Sequence, residues 1–338
     1  MFFFAFEENS ENLDREHIYA SVIYKFKFLL SLKEFIKTYS FWLNLQLLSV
    51  LSDSYIAVSL AKNLKTPLKA QGNGSLGVKM KLATFNINGV KARTPALCDW
   101  LDSSAPDIAL LQEIKSVDEG FPRDLFEDRG YQVVTHGQKS FNGVAILSKL
   151  PLEDISFGLP GDPEDVQARW IEATVIGKHA LKICGLYLPN GNPAPGPKYE
   201  YKLAWMKRLR QRAIELMAAE MPALMAGDYN IIPQPEDAAR PEIWTDDALF
   251  LPQSRAAYQA ITHLGFTDAF RCKHAEPGHY SFWDYQAGAW NRNDGIRIDH
   301  ILMTPACADL LLDAGIDKDI RGFEKPSDHV PVWAQLDL

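Results

Sequence analysis

Several apolar stretches of this chain end in side chains that can bind cations or move protons. Asn86 closes Leu82–Ile87, and Gln112-Glu113 closes the stretch that starts at Asp107. Tyr187 stands near the end of Leu181–Leu188, just before Pro189-Asn190-Gly191. Gly227-Asp228-Tyr229-Asn230 follows Ala223–Ala226, Asp299-His300 lies inside Ile296–Met303, and Ser327-Asp328-His329 leads into the last stretch, His329–Leu338. The hard oxygens of Asn86, Glu113, Asp228, Asn230, Asp299 and Asp328 suit Mg²⁺ or Mn²⁺ better than zinc. Hydrolysis of a phosphodiester needs a cation against the phosphate, a group that activates water and donors for the oxyanion. With His329 and Tyr187 added, this inventory supplies all three. Each motif alone has an ordinary reading, Asp-x-Asn as a turn and Ser-Asp-His as a helix cap. Their shared placement where strands hand over to loops gives the combination its meaning.

The elements that must hold these groups are short strands separated by turn signals. Beyond those already named, Gly143–Leu147 and Trp170–Ile176 read as strands, the latter paired with Leu181–Leu188 across Gly177-Lys178. A long helix is predicted from Tyr199 to about Glu220, with Leu203, Met206, Leu209, Ile214 and Met217 as its buried stripe. Its Lys202, Lys207, Arg208, Arg210 and Arg212 read as a solvated basic face. Shorter helices are expected over Pro95–Leu101 and Gln253–Leu264. Many strands with few helices predict two packed sheets with helices outside, and no internal repeat is visible.

At 338 residues, with 47% hydrophobic and 23% charged residues, the composition is that of an ordinary globular protein. A net charge of -8 argues against indiscriminate nucleic-acid binding, yet a carboxylate-rich metal site can coexist with a basic rim. Cys98, Cys184, Cys272 and Cys307 are far apart. They predict buried or half-buried thiols, not a zinc or disulfide scaffold, and fit a reducing, cytoplasmic setting. Residues 1–79 form a distinct extension rich in Phe, Tyr, Leu and Ser. Its apolar run Phe41–Ala61 is too interrupted for a membrane span, and no secretory signal is visible. A helix is expected from Tyr24 to about Leu51, and Gln71-Gly72-Asn73-Gly74-Ser75 has linker composition. Met80 directly precedes the first strand and reads as the natural start, so the catalytic domain is taken as 80–338.

From Met80 onward the chain resembles exonuclease III, of the exonuclease–endonuclease–phosphatase superfamily. The matching stretches are Phe85-Asn86-Ile87-Asn88-Gly89, Leu111-Gln112-Glu113, His136-Gly137-Gln138-Lys139, Gly227-Asp228-Tyr229-Asn230, Gly295-Ile296-Arg297-Ile298-Asp299 and Glu324-Lys325-Pro326-Ser327-Asp328-His329. The resemblance implies a four-layer α/β sandwich with two packed mixed β-sheets flanked by helices. It implies a monomeric, Mg²⁺-dependent nuclease, with Mn²⁺ able to substitute. Its substrate would be double-stranded DNA at abasic sites and 3′ ends, with no membrane partner. Glu113 would be the principal metal ligand beside Asn86, with Asp328 at a second position and Asp228, Asn230 and His329 completing the set of metal-binding residues. Asp228 would orient or deprotonate water, Asn230 would position the phosphate or stabilise the oxyanion, and Tyr187 would touch the phosphate or leaving group. His329 would contact the scissile phosphate, its ring held and its charged form favoured by Asp299. Arg169 and Asn190 would contact DNA. In related sequences a Trp follows the serine of the aromatic loop; here Phe282 follows Ser281 and Trp283 comes next, so either ring is a candidate for sensing the missing base. The number of metals and the identity of the base stay open. Inositol and lipid phosphatases share this chemistry, and a decayed DNA-binding module would share the fold. The Gly-Ile-Arg-Ile-Asp and Lys-Pro-Ser-Asp-His contexts favour the nuclease.

Overall fold

The computed structural model describes residues 79–338. The expected helix from Tyr24 to Leu51 and the linker at Gln71–Ser75 lie outside the described residues, and Met80 is the second residue of the first strand.

The strands in chain order are β1 (Lys79–Asn86), β2 (Ile108–Gln112), β3 (Gln132–His136), β4 (Val144–Ser148), β5 (Leu152–Phe157), β6 (Trp170–Val175), β7 (Leu181–Tyr187), β8 (Ala223–Asp228), β9 (Thr267–Asp268), β10 (Asp299–Met303), β11 (Leu311–Ile316) and β12 (Val332–Asp337). The helices are α1 (Val90–Ser104), α2 (Arg123–Glu127), α3 (Pro197–Ala218), α4 (Pro252–Thr262), α5 (Ala269–Lys273) and α6 (Pro305–Ala308). They build two six-stranded sheets, ordered β11-β12-β1-β2-β4-β3 and β5-β6-β7-β8-β10-β9. Each is mixed: β1–β2 and β7–β8 are parallel, and their other neighbours are antiparallel.

The pleat sorts side chains between layers. In β2, Ile108 and Leu110 enter the core between the sheets, where they join Ile171, Ile183, Leu224 and Ile301. Ala109 and Leu111 face outward onto Leu97, Trp100 and Leu101 of α1. In the second sheet, Cys184, Leu186 and Met225 pack against Trp205, Met206 and Leu209 of α3 and Tyr258 and Ile261 of α4. The order α1, sheet, sheet, α3 with α4 is the expected four-layer sandwich.

Two differences from the sequence reading have physical reasons. First, α1 begins at Val90, not at Pro95: Gly89 turns the chain at φ 100° and the Val90 N–H donates to Ile114 O at 3.1 Å. This anchor carries Pro95 inside the helix at the cost of one backbone bond. Second, β3, β5, β9 and β11 were not read as strands. Three of them, β3, β5 and β11, are sheet edges, and β9, the fourth edge, has only two residues.

What matters for chemistry is the register. Parallel pairing sets Asn86 beside Gln112, and hence next to Glu113, and sets Tyr187 beside Asp228. Antiparallel pairing sets Asp299 opposite Asp228. The ends of β1, β2, β7 and β8 and the starts of β10 and β12 therefore meet at one edge of the sandwich.

Candidate active site

At that edge Asp228, Asp299 and His329 are all buried, with exposures of 1%, 0% and 4%. Asp299 Oδ2 accepts from His329 Nδ1 at 2.8 Å and from the Ser281 hydroxyl at 2.6 Å. Ser281 Oγ in turn accepts from the backbone N–H groups of Ile298 and Asp299, both at 3.1 Å. The ring is thus oriented with Nε2 toward Asp228 Oδ2, 3.7 Å away. Burial alone would strip the proton from His329, but the charges of Asp299 and Asp228 overcome it and raise the imidazole pKa well above its usual value. Burial raises the Asp228 carboxyl, and Asp299 adds to this, against the opposing pull of His329 and Asn86. A carboxyl lifted toward neutrality can take a proton at physiological pH.

Asp228 can sit here because Gly227 precedes it. A Cβ at Gly227 would come within 1.9 Å of Leu186 O, so only glycine lets β8 lie this close to β7.

Asn86 joins this cluster to Glu113. Its Nδ2 donates to Glu113 Oε1 and to Asp228 Oδ2, both at 2.9 Å. Lys115 Nζ contacts Glu113 Oε2 at 2.8 Å and donates to Asn88 Oδ1, and Asn88 Nδ2 donates to Asp328 Oδ1 at 3.0 Å. Ser327 Oγ donates to Asn86 O at 2.7 Å and so ties the two segments. Burial works against the charged form of Glu113, but hydrogen bonds from Asn86 and Lys115 hold its pKa below the usual carboxylate range. Glu113, Asp228, Asp299 and Asp328 outnumber the cations in direct contact with them, Lys115 and His329. This excess of hard anionic oxygen fits a divalent cation of the Mg²⁺ class.

The rim is built from two loops. Asn230, at φ 47°, donates from its backbone to Asp228 Oδ1 at 2.8 Å and from Nδ2 to Leu188 O at 2.9 Å and Asp228 Oδ2 at 3.3 Å. Its Oδ1 accepts from Asn190 Nδ2 at 3.0 Å. Both ends of the Asn230 amide are therefore engaged within the protein, where it braces Asp228. Asn190 is exposed at the rim. Arg169 lies over the Tyr187 ring at 4.7 Å and donates to Tyr187 O at 3.2 Å. Burial, followed by the charges of Glu113 and Asp228, pushes the Tyr187 hydroxyl well up, so it stays a proton donor.

Lys202 corrects the expected solvated face of the long helix. It is fully buried, and its Nζ donates to Asn190 O at 2.9 Å and Asn230 O at 2.6 Å. Burial pushes its pKa down to about 7 against the pull of Asp228 and Asp247. Arg208 and Arg212 of the same face are paired with Asp165 and Glu172. Arg297 of the Gly-Ile-Arg-Ile-Asp motif is also structural: buried, it bonds Asp237 at 2.8 Å, Asp268 at 2.7 Å and His300 at 2.9 Å.

The two candidate rings separate cleanly. Phe282 is half-buried, with its ring edge-on to His329 at 4.9 Å, and it borders a recess of about 300 Å³ shared with Arg240, Ile243 and Trp244. Trp283 is 0% exposed and packs against Tyr280 and Trp290. The expectation that Trp283 touches substrate is corrected: it is core. Of the cysteines, Cys98, Cys184 and Cys307 are buried and free, but Cys272 is exposed, not half-buried.

Residues 83–329 match the Endonuclease/Exonuclease/phosphatase family, the greater part of the chain. The chain belongs to this family. It is 38% identical over 266 residues to exodeoxyribonuclease III of Haemophilus influenzae, covering 76% of this chain and all of that one. That places it in the exonuclease III branch. An AP endonuclease from Archaeoglobus fulgidus has the same fold at a TM-score of 0.73 and 38% identity, covering 77% of this chain and all of that one. A 3′ phosphatase from Neisseria, bound to a product DNA hairpin, matches at 0.73 and 37%, with the same coverage.

Proposed function

We propose that this chain is a DNA-repair nuclease that hydrolyses phosphodiesters in double-stranded DNA, cutting at abasic sites and trimming 3′ ends, including 3′ phosphates. The observation that carries this reading is one side chain: Asn86 bridges Glu113 to Asp228, and Asp228 faces His329. A cation site, a proton acceptor and a proton donor therefore share one cleft.

Glu113 and Asn86 would hold Mg²⁺, or Mn²⁺ in its place, with Asp328 on the far side of Lys115 and Asn88. When bound, the cation offsets the negative charge of the phosphate and its transition state. Asp228 accepts the proton of the attacking water, fixed in aim by Asn86 and by the Asn230 backbone. His329, held cationic, donates from Nε2 to a phosphate oxygen, while Asp299 keeps the ring in place without touching substrate. Tyr187, protonated, faces the same phosphate or leaving group. Arg169 and Asn190 lie at the rim, where the DNA backbone would pass. Phe282 and the recess beside it would receive an extruded abasic sugar or a frayed 3′ end.

The free thiols fit a reducing, cytoplasmic setting, and the enzyme would act as a monomer. Among the described residues no helix is long and apolar enough to cross a membrane. A plasmid carrying a tetrahydrofuran abasic analogue tests the proposal. Nicking with Mg²⁺ that stops on adding EDTA supports it. An intact plasmid together with release of phosphate from an inositol or lipid phosphate would replace the nuclease with a sister phosphoesterase.

A further inference from the structure

Away from the catalytic cleft, the loop after α5 carries a second set of donors, His274-Ala275-Glu276-Pro277-Gly278-His279. One ligand atom from each of His274, Glu276 and His279 lies within 4.8 Å of the others. Glu276 Oε1 is 3.1 Å from His279 Nε2 and 3.6 Å from His274 Nδ1. Ligands about 2.0–2.1 Å from a tetrahedral zinc ion are separated by about 3.3 Å, so these two spacings bracket the edge of that polyhedron.

A second observation is independent of these distances. His274 Nε2 lies 2.8 Å from Ala314 O, a carbonyl that can only accept, so Nε2 carries a ring proton and Nδ1 is the nitrogen turned toward Glu276. Metal-binding histidines are held in this way, with the second ring N–H on a backbone carbonyl. Phe270 fixes both rings, stacked on His274 at 4.6 Å and edge-on to His279 at 5.3 Å. Both histidines line a recess of about 570 Å³ with Tyr280 and Asp317, so water can reach the remaining coordination positions.

We propose that His274, Glu276 and His279 form a binding site for a zinc-class divalent cation, distinct from the oxygen-ligand site in the cleft. Two imidazoles and one carboxylate select Zn²⁺, Co²⁺ or Ni²⁺ over Mg²⁺. The site closes the loop that leads directly into Tyr280-Ser281-Phe282. A cation there tethers the segment whose Ser281 holds Asp299 and whose Phe282 packs on His329.

The test uses the full chain without an affinity tag, in saturating Mg²⁺ so that the cleft is occupied by the harder ion. Zn²⁺ is titrated by calorimetry, and Co²⁺ is added separately and read by its visible absorption. Wild type and His329→Ala should each bind one equivalent of Zn²⁺, with a tetrahedral Co²⁺ spectrum. His274→Ala and His279→Ala should bind at least tenfold more weakly, and Glu276→Gln should also weaken binding. Zn²⁺ should raise the melting temperature of wild type and leave that of the His274→Ala/His279→Ala double variant unchanged. Circular dichroism checks that the variants fold; all three side chains are partly exposed, so folding should be retained. Equal Zn²⁺ affinity in wild type and the double variant, or loss of binding in His329→Ala alone, would overturn the assignment.

Discussion

Asp299→Asn isolates what the buried carboxylate does for His329. The change is nearly isosteric, so the β8–β10 register and the Ser281 hydroxyl stay in place. It removes the charge from a bond of 2.8 Å to His329 Nδ1. It also puts an NH₂ where Asp299 Oδ1 is buried without a partner, which works against stability. A hydrogen bond to a charged group contributes about 1.5–3 kcal/mol. At about 1.36 kcal/mol per tenfold, turnover should fall about 10- to 150-fold. The second signature is in the pH profile. In wild type, Asp299 and Asp228 raise the His329 pKa, so the ring stays cationic through neutral pH and its loss shows only on the far alkaline side. In the variant the imidazole moves toward its ordinary value of about 6.5, and activity should begin to fall near neutrality. The assay is steady-state cleavage of a tetrahydrofuran-containing duplex from pH 5.5 to 10 (about the range spanned by the two values), with kcat and KM separated. A fall in kcat with an unchanged alkaline limb would refute charge stabilisation by Asp299 and leave it only a packing role.

Three further outcomes follow from particular contacts. Phe282→Ala should raise KM for abasic DNA with little change in melting temperature, whereas Trp283→Ala should cost about 3–5 kcal/mol of stability in urea unfolding. Lys202→Met should lower kcat more than it raises KM and destabilise the fold by about 1–3 kcal/mol per carbonyl left buried without a donor, read by denaturation and cleavage assays side by side. Asp237 and Asp268 are half of a buried network in which burial works against the charged form but Arg297 wins and lowers both carboxyls. Their depressed folded pKa values contribute stability that is complete above the ordinary carboxylate range and is lost as pH falls through the folded values; Arg297→Met should weaken that acid dependence in melting curves between pH 7 and about 3, with Arg271 still holding Asp237.

Much of the site was legible in the sequence, because its residues lie at strand ends, where apolar runs stop and acids or amides begin. Asn86, Glu113, Asp228, Asp299 and His329 were marked by this change of character before any contact was known. What brings them together is register, and that is set by pairing between distant strands: Asp228 meets Asp299 only because β8 and β10 align there. Lys202 was hidden by its setting in a run of basic residues, since a solvated lysine and one that reaches under a loop look alike in sequence. The choice between Phe282 and Trp283 was equally hidden. The bridges that pair Phe282 with Ile296 and His329 decide which of two successive side chains turns toward the cleft. Edge strand β5 carries no apolar pattern because one residue of its six, Leu152, is buried, and β9 is only two residues long.

On the proposed function, Glu113 and Asn86 hold a divalent cation within reach of Asp228 and His329. Crystals soaked in Mn²⁺ and measured for its anomalous scattering address it directly. A peak is expected between the Glu113 carboxylate and the Asn86 amide, absent in Glu113→Gln crystals, and the Glu113→Gln enzyme should also fail to nick abasic DNA. A cleft without Mn²⁺ in crystals whose enzyme still cleaves with Mn²⁺ in solution, or full activity in Glu113→Gln, would contradict it.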